Sequence, residues 1–398
     1  MTREHRPRYR RAILLGVSGA IVTGLAVVGT YALRAAADTG DNRPASRASI
    51  LPSLATGATP EAPTTTIAPP TLDVVAVSPT SGADNIAGTQ PVTVSFSAPI
   101  PESFPSPTLT PAVSGNWSRS GTNALVFTPT DAFPPDAAVT VTIPASMRAT
   151  DGAVLAKPFV AHFSVGNGSV LRLQQLLSLL GYSPLAWAPA AASVPASDQA
   201  AQAKAAFVPP AGSFTWRASS WPTQLISQWQ PGADNVFTRG MVMAFESDHG
   251  LAIDGIAGPK VWSALLVAVA HGQTNTNGYT YALASQTRPE TLTVWHDGAQ
   301  VLQSPANTGI AQAPTADGTF PVYERLRSQV MRGTNPDGTK YADPVQYVAY
   351  FNGGDAVHYI PRATFGYPQS VGCVELPLQA AATAWSELSY GTLVTVTG

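Results

Sequence analysis

The sequence predicts a multidomain chain with an N-terminal transmembrane helix, a β-sandwich, an α-helical module of three helices and a mostly-β C-terminal domain. Its 398 residues exceed the roughly 250–300 residues that a single hydrophobic core organises. The hydrophobic pattern changes along the chain, from one apolar run to short alternating runs, then to helical spacing and back to alternation. Pro (36) and Gly (33) are abundant, which is typical of linkers, turns and β-rich modules.

The N-terminal region has the pattern of a membrane anchor. Residues 1–11 contain five arginines, and an uncharged apolar run follows over residues 12–33. Such a run is long enough to cross a bilayer as a helix, and the basic flank favours a cytoplasmic N-terminus. We therefore expect residues 1–37 to form a cytoplasmic tail and a single-pass anchor, with the rest of the chain outside the cell. A signal peptide cleaved near Ala35-Ala36-Ala37 is the alternative, which would give a secreted protein.

Two segments of different composition follow the anchor. Residues 38–71 are rich in Ala, Pro, Ser and Thr without a periodic apolar face, which predicts a disordered linker. Over residues 72–166, short alternating runs are separated by turn signals such as Pro134-Pro135 and Asp151-Gly152. This pattern predicts a β-sandwich with Trp117 in its core. The segment resembles bacterial Ig-like domains, which implies a spacer, with substrate binding as the alternative.

Residues 169–270 predict a helical module. Leucines recur at helical spacing over residues 170–182, a second helical stretch covers 238–249, and Pro259 is well placed to begin a third helix. The segment Asp254–Trp262, with its Asp-Gly-x-x-Gly-Pro turn, resembles the PGBD-like three-helix peptidoglycan-binding domain. An insertion at 183–237 interrupts this resemblance. We expect its four tryptophans to pack on the helices rather than to stack on sugar rings: Trp187, Trp216, Trp221 and Trp229.

The C-terminal domain, residues 278–398, contains the candidate nucleophile. β-type runs return here, with one helix expected at 377–388. Cys373 is the only cysteine of the chain, and it follows His358 by fifteen positions in a Ser-x-Gly-Cys turn. A thiol becomes nucleophilic when an imidazole takes its proton. Gly372 permits strained backbone angles and close approach of substrate, and N–H groups in the turn can bind an oxyanion.

The stretch from His358 to Cys373 resembles the active-site signature of the L,D-transpeptidases with a YkuD-type catalytic domain. Two further elements fit this resemblance, Asn307-Thr308-Gly309 and the segment 314–320. The family often has a second His where this chain has Val371, and Arg or Asn where it has Glu375. These departures leave the nucleophile and the base intact, but they affect the hydrogen bonding of the loop and the charge preference for substrate.

The resemblance implies a mechanism and a set of site residues. Cys373 would attack the carbonyl between the third and fourth residues of a peptidoglycan stem, release D-Ala and form a thioester, and an amine of a second stem would then complete a 3→3 crosslink. His358 would move the proton, oriented by the backbone carbonyl of Tyr359. The N–H groups of Gly372 and Cys373 would bind the oxyanion, and Ser370 would brace the loop. Residues 323–344 would form a loop over the site. Weaker candidates for substrate contacts are Tyr341, Tyr347, Arg362 and Glu375, with a solvent-facing side chain as the alternative for Glu375.

Composition restricts the other function classes. Charged residues are only 12% of the chain and the net charge is −2, which gives no support to nucleic-acid binding. The six histidines lack metal-binding spacing, and we expect neither a metal nor a cofactor. No G-x-S-x-G element supports a serine nucleophile.

The expected partners are therefore stem peptides and glycan, with carbapenem-type inhibitors, in the cell wall and at the membrane. Two alternatives stay open: an L,D-carboxypeptidase, and an inactive peptidoglycan-binding scaffold.

Overall fold

The computed structural model describes residues 70–398. The predicted anchor, and the predicted linker up to residue 69, lie outside these residues. Over the described range, no helix combines the length and the apolar character needed to cross a membrane.

Residues 71–165 form two stacked four-stranded sheets, ordered β2-β4-β7-β6 and β3-β10-β8-β5, and a short parallel pair of β1 with β9. The strands are β1 (Thr71–Leu72), β2 (Val74–Ser78), β3 (Ala83–Ile86), β4 (Val92–Phe96), β5 (Thr108–Thr110), β6 (Gly115–Ser120), β7 (Ala124–Pro129), β8 (Ala138–Ile143), β9 (Val154–Leu155) and β10 (Phe159–Val165).

Alternation within the strands builds the core of this sandwich. Val92, Val94 and Phe96 of β4 are fully buried, and the residues between them are only partly covered, as expected for a strand with one face on the core. Trp117 packs against the same core, with its ring centroid 5.5 Å from that of Phe127. The predicted β-sandwich and the position of Trp117 are confirmed.

Residues 170–271 contain three longer helices around one core, and the insertion adds a two-stranded hairpin and two short helices. The elements are α1 (Val170–Leu179), β11 (Leu185–Pro189), α2 (Gln199–Ala205), β12 (Gly212–Trp216), α3 (Thr223–Ile226), α4 (Val236–Asp248) and α5 (Pro259–His271).

Local sequence explains where these helices begin and end. Ser169 caps α1 through its side chain, and Gly181, with φ of 84°, follows the end of the helix. Pro259 occupies the first turn of α5, and Gly272 ends that helix in the left-handed conformation.

The tryptophans of the insertion pack inward, as predicted. Trp221 is buried in the helical core, and Trp216 and Trp229 pack against it from its edge. Trp187 is also buried, with the Arg172 guanidinium 6.0 Å from its ring. All four therefore make packing contacts within the helical module, which agrees with the expectation that they pack on the helices.

The C-terminal domain consists of a five-stranded sheet, ordered β15-β14-β13-β21-β16, a four-stranded sheet, ordered β17-β18-β19-β20, and a helix that contacts strands of both. The elements are β13 (Thr280–Ser285), β14 (Thr291–His296), β15 (Ala299–Pro305), β16 (Gly318–Pro321), β17 (Glu324–Thr334), β18 (Lys340–Asn352), β19 (Asp355–Tyr359), β20 (Val374–Leu376), α6 (Leu378–Glu387) and β21 (Leu393–Thr397).

The segment expected to be a loop over the site is mostly a long hairpin. Strands β17 and β18 pair antiparallel from Glu324 opposite Tyr350 to Thr334 opposite Lys340. Asn335 begins the turn that joins them, where its backbone N–H donates to the Thr339 carbonyl at 2.8 Å. The pairing makes this cover of the site a β-ribbon.

The helical module packs directly against the C-terminal domain. Tyr281 of β13 and Leu393 of β21 belong to the same buried cluster as the three longer helices. At Gly240 of α4 a Cβ atom would lie 2.6 Å from the carbonyl oxygen of Gly391, so only glycine permits this approach. The shared core fixes the helices on the strands that carry the site.

Substitution of Trp262, which lies on α5, tests whether the helices and the C-terminal domain share this core. The side chain of Trp262 is 1% exposed, and a Cβ at Gly168 would lie 2.3 Å from its ring. We expect Trp262→Ala to lower the free energy of unfolding by about 3–5 kcal/mol, because a large buried ring is replaced by a cavity. Urea unfolding followed by circular dichroism measures the change.

Val267→Ala is the matched control, since Val267 lies on the same helix and is 48% exposed. It should change the free energy of unfolding by no more than about 0.5 kcal/mol. Equal losses for both variants would show that α5 does not contribute its buried face to a common core.

Candidate active site

The parallel pairing of β19 with β20 determines the position of the sulfur. Val357 lies opposite Val374 and His358 opposite Glu375. Cys373 immediately precedes β20, so it lies beside Ala356. Ala356 and His358 point to the same side of β19, because side chains alternate along a strand. The imidazole and the thiol are therefore brought to one face of the four-stranded sheet.

Hydrogen bonds fix the turn that contains the sulfur. The Ser370 hydroxyl donates to the Cys373 carbonyl at 2.6 Å and accepts from the Gly372 N–H at 3.2 Å. The backbone N–H of Ser370 donates to the Thr308 carbonyl at 3.0 Å, and that of Ile310 donates to the Ser370 carbonyl at 3.0 Å. The strand-end segment that begins at Asn307 thus anchors the loop, with Ser370 as its internal brace.

Gly372 is required by the geometry of this turn. Its φ is 119°, a value that side-chain-bearing residues rarely adopt. A Cβ at this position would also lie 2.3 Å from Oδ1 of Asp355. Because the Gly372 N–H donates to Ser370, it must leave that partner before it binds an oxyanion.

The thiol of Cys373 is buried and protonated in the free protein. The residue is 9% exposed, and Sγ donates a weak hydrogen bond of 3.8 Å to the Gly354 carbonyl. Burial raises the pKa of the thiol to about 12, the carboxylates of Asp355 and Glu375 act in the same direction, and the Ala356 N–H opposes them. A thiolate is thus not formed in advance at neutral pH.

The imidazole of His358 is also neutral. The residue is 2% exposed, and burial lowers its pKa, while the backbone carbonyl of Tyr359 and the charge of Glu375 oppose that change. Within residues 70–398, Nδ1 is buried and makes no hydrogen bond of ordinary geometry, and none joins the ring to Cys373. The orienting role of Tyr359 stays a prediction. A neutral imidazole with a free ring nitrogen is suited to accept a proton.

Two cavities meet at the sulfur. The imidazole cavity, of about 300 Å³, contains His358, and the Asp355 cavity, of about 310 Å³, contains Asp355. Residues common to both are Met331, Tyr341, Val371 and Cys373. The thiol can therefore be approached from two sides.

Arg362 and Glu375 form an ion pair in the wall of the imidazole cavity. Arg362 Nε donates to Glu375 Oε2 at 2.8 Å, and Arg362 Nη2 donates to Glu375 Oε1. Asn307 Nδ2 also donates to Glu375 Oε2, at 3.3 Å. Glu375 is only 3% exposed, so the alternative of a solvent-facing side chain is wrong. The pair raises the pKa of Arg362 and leaves these two charges mutually neutralised.

The two tyrosines predicted to contact substrate lie in different places. Tyr341 lines both cavities. Tyr347 has φ of 57° at an irregularity in the pairing of β18 with β19, and its ring packs 6.2 Å from that of Trp385. Tyr347 lines neither of the two described cavities that meet at the sulfur. The irregular strand turns the ring toward α6 and away from both cavities, so the structure gives no support to a substrate contact by Tyr347.

Sequence reasoning missed several residues of the site. Asp343, Asn335 and Gln369 line the imidazole cavity, and Asp355 lines the other. Asp343 and Asn335 lie in the segment 323–344 that the sequence predicts to cover the site, and this position could have identified them. Asp355 belongs to no motif, since its contact with Gly372 arises from the tertiary fold.

Comparison with known proteins assigns two parts of the chain to families. Residues 279–396 match the L,D-transpeptidase catalytic domain, called YkuD, and residues 66–165 match the bacterial Ig-like domain. The predicted peptidoglycan-binding domain is not among these matches. A comparison with curated proteins gave no significant match.

Similar solved structures include three L,D-transpeptidases. One from Mycobacterium smegmatis is 15% identical over 82% of this chain and 99% of its own, with a TM-score of 0.29. L,D-transpeptidase 3 from Mycobacterium tuberculosis, with a faropenem-derived adduct, is 17% identical over 82% and 98%, with a TM-score of 0.28. The catalytic domain from E. faecium, acylated by ertapenem, is 25% identical over 30% and 98%, with a TM-score of 0.28. Because these TM-scores are low, we draw no conclusion from them.

The buried thiol predicts a distinctive pH dependence of alkylation. Because Cys373 is the only cysteine, iodoacetamide reports on this thiol alone. We expect slow alkylation at neutral pH, with a rate that rises about tenfold per pH unit between about pH 7 and pH 10, because only the thiolate reacts. Intact mass measured over time gives the rate. A plateau below about pH 8.5, the pKa of an ordinary thiol, would show that the sulfur is already ionised.

Proposed function

We propose, since residues 279–396 belong to the YkuD family of L,D-transpeptidase catalytic domains, that this protein forms 3→3 crosslinks in peptidoglycan through a thioester on Cys373. The observation that supports this most is the meeting of the thiol and the imidazole of His358 in one cavity of about 300 Å³. That volume lies at the lower end of small-molecule binding sites and admits part of a stem peptide.

The first half of the reaction begins from a neutral pair. As Sγ attacks the carbonyl carbon between the third and fourth stem residues, His358 takes the thiol proton, so the thiolate never has to exist free in a buried place. Backbone N–H groups of the turn bind the oxyanion, and in comparable sites each such donor lowers the barrier by roughly 3–4 kcal/mol. The C–N bond then breaks, the imidazolium protonates the leaving D-Ala amine, and a thioester remains.

The second half transfers the acyl group to an amine of a neighbouring stem. The amine nitrogen attacks the thioester carbon, the C–S bond breaks, and the sulfur recovers a proton. The two cavities at Cys373 support this step, because the acceptor reaches the thioester from a side that the acyl group leaves open.

Two alternative functions have their own observations. Water in place of the amine would make the protein an L,D-carboxypeptidase, which the polar lining of both cavities permits. An inactive scaffold is suggested by Val371, where the family often has a second His. The neutral imidazole that lines the same cavity as the thiol, and the intact turn around Cys373, favour an enzyme over a scaffold.

The remaining modules suggest how the enzyme is held at its substrate. We propose that the apolar run 12–33 anchors it in the cell membrane and that the Ig-like domain spaces the C-terminal domain from the anchor. The three-helix module is proposed to bind peptidoglycan. Extraction of the membrane fraction with alkaline carbonate tests the anchor, and sedimentation with purified cell wall tests the helical module.

Acylation is the direct test of the proposed chemistry. We expect incubation with a carbapenem to add the mass of one inhibitor to Cys373, because opening of the lactam ring forms the same thioester as a stem peptide does. Intact mass spectrometry followed by peptide mapping measures this. Cys373→Ser is the control and should remain unmodified.

If the folded protein is not acylated by the carbapenem, the alternative of an inactive scaffold is supported. The two enzymes are then separated by their products. With a tetrapeptide donor and an amine acceptor, a transpeptidase yields the crosslinked dimer, whereas a carboxypeptidase yields only free tripeptide.

His358→Ala tests the proton acceptor. Since its Nδ1 makes no hydrogen bond within the described residues, the substitution breaks none there, and the fold should persist. We expect acylation by the carbapenem to slow by about 10²–10⁴-fold, the usual contribution of general acid–base catalysis. Stopped-flow fluorescence measures the rate, with circular dichroism as the check on folding. An unchanged rate would remove His358 from the mechanism.

A further inference from the structure

A carboxylate that the mechanism above does not use lies beside the nucleophile. Asp355 is the first residue of β19, directly after the turn Gly353-Gly354, and the carbonyl of Gly354 accepts the hydrogen bond from Sγ of Cys373. Along β19, Asp355 and His358 lie on either side of Ala356, the residue beside the sulfur. Cys373 lines one cavity together with His358 and the other together with Asp355.

The position of the Asp355 carboxylate is set by contacts with the catalytic turn. A Cβ atom built at Gly372 would lie only 2.3 Å from Oδ1 of Asp355. The other carboxylate oxygen, Oδ2, accepts a hydrogen bond from Asn352 Nδ2 at 3.3 Å. Among residues 70–398, no Lys, Arg or His lies within ion-pair distance of it. Arg332 also lines this cavity, but its side chain is exposed and makes no such pair.

This arrangement leaves a half-buried anion without a cationic partner. Asp355 is the only carboxylate that lines its cavity within the described chain, and its neighbours there include Gln329, Tyr341 and Tyr350. Burial raises the pKa of Asp355 to about 6, while the hydrogen bond from Asn352 opposes that change. The group is thus mostly ionised at neutral pH, yet it accepts a proton more readily than an ordinary aspartate.

A transferase that uses an amine acceptor needs such a group. A primary amine on a peptide is an ammonium ion at neutral pH, since an alkyl amine has a pKa of about 10.4, and it cannot attack until it loses a proton. The incoming cation also needs a counter-charge in a buried site, because an unpaired buried charge is costly. His358 faces the other cavity, where it serves the acyl group.

We propose that Asp355 binds the ammonium group of the acceptor in the Asp355 cavity and takes one of its protons as the amine attacks the thioester. This assignment rests on the proposed function and adds the residue that recognises the acceptor. Asp355 contacts the reacting nitrogen and is a catalytic residue in that sense.

The step balances in atoms and charge. The ammonium gives one proton to Asp355, and the freed electron pair forms the new C–N bond to the thioester carbon. The C–S bond breaks, and its electron pair goes to sulfur. The nitrogen loses a second proton, which passes through His358 to the sulfur, and Asp355 releases its proton to solvent. The products are the amide, the thiol and one proton.

Asp355→Asn separates the two halves of the reaction. In the full-length protein we expect the rate of acylation by a carbapenem not to fall, because no acceptor takes part and the charge of Asp355 only raises the pKa of the thiol. Transfer from a tetrapeptide donor to an alkyl amine acceptor should fall about 10²-fold, the lower end for loss of a general base. Chromatography of the products with time measures both rates.

A second acceptor distinguishes a catalytic role from a structural one. Methoxyamine is unprotonated at neutral pH and needs no proton acceptor before it attacks. Asp355→Asn should transfer the acyl group to methoxyamine at nearly the wild-type rate. Asp84→Asn, the same change on an exposed residue of the Ig-like domain, should leave every rate unchanged.

Three results would overturn the assignment of Asp355. It fails if Asp355→Asn transfers to the alkyl amine as well as the wild type, or if transfer to methoxyamine falls by the same factor. It also fails if acylation falls in parallel with transfer, since the carboxylate would then only support the loop. Absence of acylation in the wild type instead contradicts the proposed function, and the role of Asp355 falls with it.

Discussion

The parallel pairing of β19 with β20 is the constraint on which the site depends. It is a short pairing, in which Val357 lies opposite Val374 and His358 opposite Glu375. A slip of one residue would turn Cys373 and His358 to opposite faces. The register is held from outside the pair, because the Asn307 N–H and carbonyl bond both backbone groups of Glu375 at 3.0 and 2.9 Å. The ion pair between Arg362 and the buried carboxylate of Glu375 also fixes the side chain of Glu375.

Burial determines how the thiol can react. Cys373 is only 9% exposed, which protects its sulfur from exchange with other thiols and from oxidation, but burial disfavours the thiolate. In the proposed mechanism the neutral imidazole of His358 resolves this conflict, because it takes the proton as the sulfur attacks the carbonyl carbon. An electrophile that does not fill the cavity would then meet a protonated thiol.

The charges around the sulfur differ between its two sides. Arg362 and Glu375 neutralise each other beside the imidazole, whereas Asp355 has no ion-pair partner among the residues that the structure describes. The lining of the imidazole cavity also includes Asp343, and that of the Asp355 cavity includes Arg332. The two sides therefore differ in the carboxylate that lies next to the catalytic turn, Asp355, and the proposed acceptor role rests on that position.

Much of the architecture could be predicted from local pattern. The spacing of leucines predicted α1, whereas a second helical stretch and the position of Pro259 predicted α4 and α5, and alternation predicted the strands of the sandwich and of the C-terminal domain. The pair of Cys373 and His358 could be predicted because a lone cysteine next to a glycine in a turn is conspicuous in the sequence. The packing of Tyr347 against Trp385 and the ion pair of Glu375 could not be predicted, since an irregular strand and a tertiary ion pair leave no local trace in the sequence. Asp355 was missed for the same reason, because its neighbour Gly372 lies seventeen positions away along the chain. The family resemblance implied a loop over residues 323–344, whereas the structure pairs most of this segment as the ribbon of β17 and β18.

The structure of the acyl-enzyme tests the central claim most directly. Crystals of the C-terminal and helical modules, acylated with a tetrapeptide donor, should show continuous density from Sγ of Cys373 to the acyl carbonyl within the imidazole cavity. The ring of His358 should lie within hydrogen-bond reach of the sulfur or of the departing nitrogen, either directly or through one water. An acyl group on another residue, or one on Cys373 with the ring of His358 turned away and beyond reach, would contradict the account.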